Sequence, residues 1–294
     1  MAESPAHTFG QIIGKVLEDA VDPIIREVAD KYGLFLDKQG PRSARKGRKK
    51  VTWKDSYENK HDLDYVLEEG GTPGRVGRPR AFIEIAWRRY TKHSKNKAQE
   101  IQGAVRPLVD THWRNAPFSS AILAGEFTGN AVTQLKSLGF KVLLFPYSTV
   151  VEAFSEVGID ASFDEDTPIE EFQAKLEQWN ALGPTERVDV AVALRNANKK
   201  LVEEFGSALE ASMSRSIAAI HVLPLHGQSH EFQSAEEAIA FIADYEGDEI
   251  ADLAKVEVII RYSNGDKVDA TFREQDAAAE FLRSYMDPPL TPVE

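Results

Sequence analysis

Two carboxylates stand out in this chain by their setting. Asp64 and Glu84 lie twenty residues apart, each in a stretch where apolar and polar residues alternate. In Asp62-Leu63-Asp64-Tyr65-Val66-Leu67-Glu68 the alternation predicts a strand with Leu63, Tyr65 and Leu67 on one face and Asp62, Asp64 and Glu68 on the other. A second strand is predicted over Ala81 to Tyr90, with Phe82, Glu84, Ala86 and Arg88 on one face and Ile83, Ile85 and Trp87 on the opposite one. The Gly-, Pro- and Arg-rich run between them, Glu69 to Arg80, reads as a hairpin connection. Paired in that hairpin, Asp64 and Glu84 converge on one divalent cation, the arrangement that phosphodiester hydrolysis requires to activate water and neutralise phosphate charge. Asp62 is the reserve carboxylate. The chain has no cysteine, so disulfides, thiolate zinc sites and cysteine nucleophiles are excluded, and oxygen ligands favour Mg²⁺, with Mn²⁺ as the substitute.

Cations follow the second carboxylate directly. The string Trp87-Arg88-Arg89-Tyr90-Thr91-Lys92-His93-Ser94-Lys95-Asn96-Lys97 interleaves basic, aromatic and hydroxyl side chains, a mixture suited to phosphate anchoring and base contact. Arg88, Arg89, Lys92 and Lys95 are the expected DNA contacts. The formal net charge is −12, yet from Lys38 to Asn115 there are 19 Lys and Arg against 9 Asp and Glu, while the remainder carries 16 against 38. That segregation suits a polyanion-binding face on an acidic chain.

The elements that must position these residues are legible by periodicity. Helical spacing from His7 to Tyr32 predicts a helix that Pro23 bends or splits. The run GPRSARKGRKK has no apolar face and reads as a mobile arm or a loop ordered against phosphates. Ser94 is a suitable N-cap for a helix whose stripe is Ala98, Ile101, Val105, Leu108, Val109 and His112. On that helix Lys97 lies beside the apolar stripe, and Lys95 points outward with Gln99, Gln102 and Arg106. Ser119 to Ala124 and Lys141 to Pro146 read as buried strands around a short helix, Asn130 to Leu138. The sum is an α/β mixed sheet flanked by helices.

This arrangement, with Asp62-Leu63-Asp64, then Phe82-Ile83-Glu84-Ile85-Ala86, then the helix Lys95 to Trp113, resembles the helix, three-strand, helix, strand core of the PD-(D/E)xK nuclease superfamily, which includes many restriction endonucleases. The resemblance covers about residues 8 to 150 and implies a restriction-endonuclease-like fold, a Mg²⁺-dependent DNA endonuclease of restriction or defence type, and metal binding by Asp64 and Glu84. The family's motif lysine is replaced by Ala86. Its role then falls to Lys97 or Lys95 on the following helix, with Arg88 as an electrostatic clamp. The other readings are a site that binds double-stranded DNA without cutting it, as a DNA-binding or assembly subunit, and an RNA nuclease. Glu18, on the first helix, and Glu100 are candidates for further metal or water contacts.

A second, acidic unit is expected over 151–294, helical from Ile169 to about Met213 and suited to homodimer contact or recognition. Its end carries a repeat at an offset of forty: Phe232, Ala238, Phe241 and Tyr245 against Phe272, Ala278, Phe281 and Tyr285. Each copy reads strand, turn, strand, helix, with Asn264-Gly265 a hairpin turn. His226 and His230 have metal-pair spacing, but Pro224 and Gly227 interrupt any helix there. No GxxxxGK[ST], GxSxG or HExxH motif occurs. No window holds the ~18 apolar residues of a membrane span, and a cytoplasmic protein is expected.

Overall fold

The computed structural model describes residues 4–224, 227–245 and 255–293, and of His93 the backbone alone. Two compact units form. The first runs to His112 and resumes over Pro117–Leu209; the second joins Trp113–Ala116 to the chain from Glu210 onward. The division expected at residue 150 is therefore displaced. Helices α4 (Tyr147–Ser155), α5 (Ile169–Ala181) and α6 (Pro184–Ala197) pack with the N-terminal helix, because Phe154, Phe172 and Trp179 bury their rings there: Phe9 lies 5.8 Å from Phe154 and 6.4 Å from Phe172 between ring centroids. Charge changes sign along the sequence near residue 150, but the apolar core does not end.

Helix α1 (Pro5–Lys31) opens with Ser4 as N-cap, its hydroxyl accepting from the His7 N–H, and with proline at the first helical position, where no N–H is needed. It runs 27 residues without the split expected at Pro23, because Phe9, Ile13, Leu17, Val21 and Ile25 bury one continuous face. The main sheet has the order β1–β4–β5–β6–β7. In it, β1 (Phe35–Lys38) pairs antiparallel with β4 (Tyr65–Glu69), which pairs antiparallel with β5 (Arg78–Arg88). Strands β6 (Phe118–Gly125) and β7 (Lys141–Pro146) then add in parallel. One face is covered by α2 (Ser94–Thr111) and α3 (Gly129–Ser137), whose Ala98, Ile101, Val105, Ala131 and Leu135 pack on Phe82, Ala86, Ala121 and Leu123. Helix α1 covers the other face at β1 and β5. The α/β class and the mixed sheet between helices are thus as expected.

The segment before the hairpin differs. A separate antiparallel pair, β2 (Val51–Lys54) and β3 (Lys60–Leu63), ends where β4 begins, so the single strand expected from Asp62 to Glu68 is broken at Asp64. The three acids assigned to one face consequently go to three places. Asp62 lies on the outer pair and accepts from Lys50 Nζ at 2.7 Å and Thr52 Oγ1 at 2.6 Å. Asp64 occupies the break. Glu68 is fully buried and chelated by the Arg42 guanidinium at 2.6 and 2.9 Å.

The basic run after residue 39 is ordered by that contact rather than left mobile. Arg42 also pairs with Asp37 at 2.7 Å, and Arg45 binds the other Asp37 oxygen at 2.9 Å. Both carboxylates are removed from water, and only paired guanidinium groups make that tolerable. Gly77 completes the nest by donating its N–H to Glu68 Oε2 at 2.7 Å, and a Cβ there would stand 2.3 Å from the Glu69 carbonyl.

In the second unit, β8 (Ile217–Pro224), β9 (His230–Phe232), β10 (Val256–Tyr262) and β11 (Lys267–Phe272) form a sheet ordered β11–β10–β8–β9. It is backed by α8 (Ala235–Asp244) and α9 (Gln275–Arg283), which pack on each other. The forty-residue repeat is a structural duplication. Ile220 is paired with Ile260, its own equivalent, which places a local two-fold relation between the copies. The aromatic triads correspond as well: Phe232–Phe241 and Phe241–Tyr245 lie at 5.2 and 5.6 Å, Phe272–Phe281 and Phe281–Tyr285 at 5.1 and 5.0 Å. Helix α7 (Lys199–Met213) leads into this unit. Among the described residues no helix is long and apolar enough to cross a membrane.

Candidate functional site

Asp64 and Glu84 meet at the junction of β3, β4 and β5. Tyr65 pairs with Ile83, so one step further along the antiparallel register Asp64 stands opposite Glu84. Each carboxyl group binds backbone beside the other. Glu84 Oε1 accepts from the Asp64 N–H at 3.2 Å, and Asp64 Oδ2 accepts from the Ile85 N–H at 2.7 Å. The break in the strand makes this possible, because in a continuous ladder the Asp64 N–H and the Ile85 N–H would be committed to strand partners.

Burial dominates the electrostatics. Glu84 is 7% exposed, and removal from water, followed by the neighbouring Asp64 charge, pushes its carboxyl up to about 8. Burial and the Glu18 charge raise Asp64 likewise, against the Ile85 hydrogen bond and Lys97. With too little positive charge beside it, Glu84 keeps its proton at neutral pH. Lys97, on the first turn of α2, is the cation whose field reaches both. Its Nζ is 3.3 Å from Glu100 Oε2, which also lies 3.8 Å from the Arg88 guanidinium. Lys95 points to solvent on the same helix. Ala86, two residues beyond Glu84, is 4% exposed and packs with Ala98 and Ile101 under α2.

Glu18 lies on α1 and is, with Glu100, a sequence candidate for further metal or water contacts. It lines a cavity of about 190 Å³ together with Asp64, Asp22, Tyr65 and Lys38, so it belongs to the site. Nothing in its local sequence marks it, because only the packing of α1 against β1 and β5 brings it there. Asp62, expected as the reserve ligand, is removed to the β2–β3 surface with Lys50 and Thr52.

The expected DNA contacts divide. Arg89 is committed internally: its Nε donates to the Phe163 carbonyl at 2.7 Å, and its guanidinium lies 4.0 Å from the Tyr147 ring centroid. Lys92 pairs with Glu165 at the surface. Several other cations of the basic segment are neutralised locally, among them Arg80 by Glu69 and Arg106 by Asp110. Lys46, Arg48 and Lys49 are exposed on the loop that Arg42 anchors. Arg88 remains at the rim, partly exposed, with one guanidinium nitrogen donating to the Trp87 carbonyl.

Among the described residues no set of three His, Asp and Glu side chains is placed to hold a metal. Mg²⁺ does not require one, since it keeps several waters and is commonly held by one or two carboxylates and the phosphates of its substrate. Asp64 and Glu84 fit that requirement: they are adjacent, half-buried and buried respectively, with little positive charge beside them, and a divalent cation would allow both to ionise. His226 lies outside the described residues. His230 packs tilted against Phe241, with ring centroids 4.4 Å apart, and His221 Nδ1 is 3.9 Å from Glu231.

No family model matches the chain, and no curated protein matches it. Among solved structures, the crystal structure of a protein of unknown function, AF1548, aligns with 66% of this chain and 97% of its own length, at 10% identity and a TM-score of 0.27. A likeness that weak carries no argument about fold or activity.

Proposed function

We propose that the first unit is a Mg²⁺-dependent nuclease core that hydrolyses phosphodiester bonds in DNA. The observation that carries this reading is the reciprocal placement of Asp64 and Glu84, a half-buried and a buried carboxyl each bonded to main chain beside the other within the field of Lys97. Asp64 and Glu84 would hold the cation, and Glu18 stands close enough to Asp64 to bind one of its waters. When bound, such a cation activates water and stabilises charge on the phosphate. Lys97 contributes a fixed positive charge beside the scissile group, the part that Ala86 cannot play. Arg88, with five donors and no useful proton-transfer chemistry, clamps a neighbouring phosphate. Resemblance to the PD-(D/E)xK superfamily supports the same assignment through Asp64 and Glu84.

One observation favours a second reading. Ala86 is sealed in the apolar cluster rather than open to the carboxylates, as suits a DNA-binding or assembly subunit that kept the fold without cleavage. Incubation with plasmid DNA and Mg²⁺ decides between them. Nicking or linearisation that disappears in Glu84→Ala and Asp64→Ala is the expected result, and cleavage that survives Glu84→Ala would overturn the site. Binding without cleavage of DNA or RNA would leave the second reading in place.

A further inference from the structure

The far end of β5 opens onto a cavity that the carboxylate site does not use. It has a volume of about 720 Å³ and lies between the first turns of α1, the end of β5 and the segment from Phe163 to Phe172. That is well inside the range of small-ligand pockets. Phe163 and Phe172, packed edge to face at 5.1 Å, contribute its apolar floor. Trp87 and Tyr90 add ring surface from the strand end, and Gln11 and Asp164 place an amide and a carboxylate in the lining. Gly10 keeps the cavity open beside the indole: a Cβ at that position would come to 3.7 Å from Trp87 Nε1.

Resting on the nucleic-acid reading above, we infer that this cavity holds an unpaired nucleobase of the strand whose phosphate meets Asp64 and Glu84. A flat heterocycle satisfies both halves of the lining, its faces against the rings and its edge donors and acceptors against the amide and carboxylate. The charged lining is mixed, with Arg88, Arg89 and Lys92 against Asp164 and Glu165, so charge alone does not select a phosphate. Arg88 links the two sites, lining the cavity while its guanidinium approaches Glu100, the partner of Lys97. Trp87 follows Glu84 by three residues, roughly 10 Å along an extended strand, and projects from its opposite face, so a single strand that reaches both passes round the end of β5. Such a protein selects DNA with an extruded base, a gap or a single-stranded tail over a fully paired blunt duplex.

The test measures anisotropy of short labelled duplexes with the full-length protein in EDTA, which prevents cleavage. One duplex is fully paired and blunt, another carries an unpaired base, and free dAMP serves as competitor. Stacking of one base predicts about tenfold or greater preference for the unpaired substrate. Gly10→Leu, which fills the cavity and raises helix propensity, reduces that preference to near unity while the protein melts cooperatively, and Trp87→Ala reduces it independently. Equal affinity for both duplexes overturns the inference and leaves the nucleic-acid reading standing. Absence of binding to either duplex overturns both. Displacement of the unpaired substrate by dAMP at lower concentration than by the unlabelled duplex also overturns it, since the cavity would then serve a free nucleotide.

Discussion

Glu84 Oε1 accepts a hydrogen bond from the Asp64 backbone N–H, and Asp64 Oδ2 accepts one from the N–H of Ile85, the residue next to Glu84. The pair therefore holds itself in place through main chain rather than through other side chains, which leaves charge as its unsolved problem. A proton on Glu84 solves it in the free protein and a divalent cation would solve it in the loaded one.

A pH dependence follows. Glu84 ordinarily titrates at 4.5 and is raised to about 8 in the fold, so between those values the folded chain holds a proton that the unfolded chain releases. Stability consequently falls as pH rises through that window. Mg²⁺ opposes the fall by binding the ionised pair, with a gain of about 2.7 kcal/mol at a hundredfold excess over Kd. Thermal melts at pH 6 and pH 8 with and without Mg²⁺ should show the larger increase at pH 8, and Glu84→Gln should abolish the difference. A larger increase at pH 8 that persists in Glu84→Gln would place the cation elsewhere.

The two helix lysines are expected to separate by role. Lys97→Ala should slow cleavage by about a hundredfold or more, the scale of a lost charge stabiliser, with DNA affinity little changed. Lys95, in solvent, should do the opposite: Lys95→Ala weakens binding modestly and leaves the single-turnover rate intact. Single-turnover cleavage alongside equilibrium binding reads both, and identical effects of the two variants would remove the special role of Lys97.

Arg42 carries a stability prediction. Its truncation to Ala leaves Glu68 and Asp37 buried and facing each other, at a cost of about 3–5 kcal/mol. Adding Glu68→Gln should recover part of that loss, and limited trypsin digestion should open the 46–50 loop in the single variant first. An unchanged urea midpoint for Arg42→Ala would mean that the network contributes little.

Salt dependence tests the same loop from outside. If Lys46, Arg48 and Lys49 lie on phosphates, replacing all three with Ala should reduce the slope of log affinity against log salt by up to about 2.7, from ~0.9 for each contact on duplex DNA. A slope equal to that of the wild type would assign the binding face to other residues.

Much of this was readable in advance where one face of an element is buried. The alternation around Glu84 and the helical stripe from Ala98 to Leu108 gave β5 and α2, and from them the side of the sheet on which Lys97 stands. The break at Asp64 was not readable, since Leu63, Tyr65 and Leu67 alternate as they would in a continuous strand although Leu63 belongs to another sheet. Charge misled twice. Glu68 looked like an exposed acid and is the buried partner of Arg42, and the sign change near residue 150 suggested a boundary that the aromatic packing of α1 with α5 carries past. Glu18 and the commitment of Arg89 to Phe163 and Tyr147 depend on residues distant in sequence, and no local pattern encodes them. The duplicated hairpin and helix units were visible as an offset, while the pairing of Ile220 with Ile260 needed coordinates.

The lysine's place on α2 alters how the site can vary. A side chain two residues along a strand keeps its distance from Glu84 by covalent geometry, whereas one on a helix keeps it only as well as Ala98, Ile101 and Val105 seat that helix on the sheet. Position of the positive charge thereby becomes a property of the core, and a methyl group removed at Ile101, out of reach of any phosphate, should detune catalysis as well as loosen the fold.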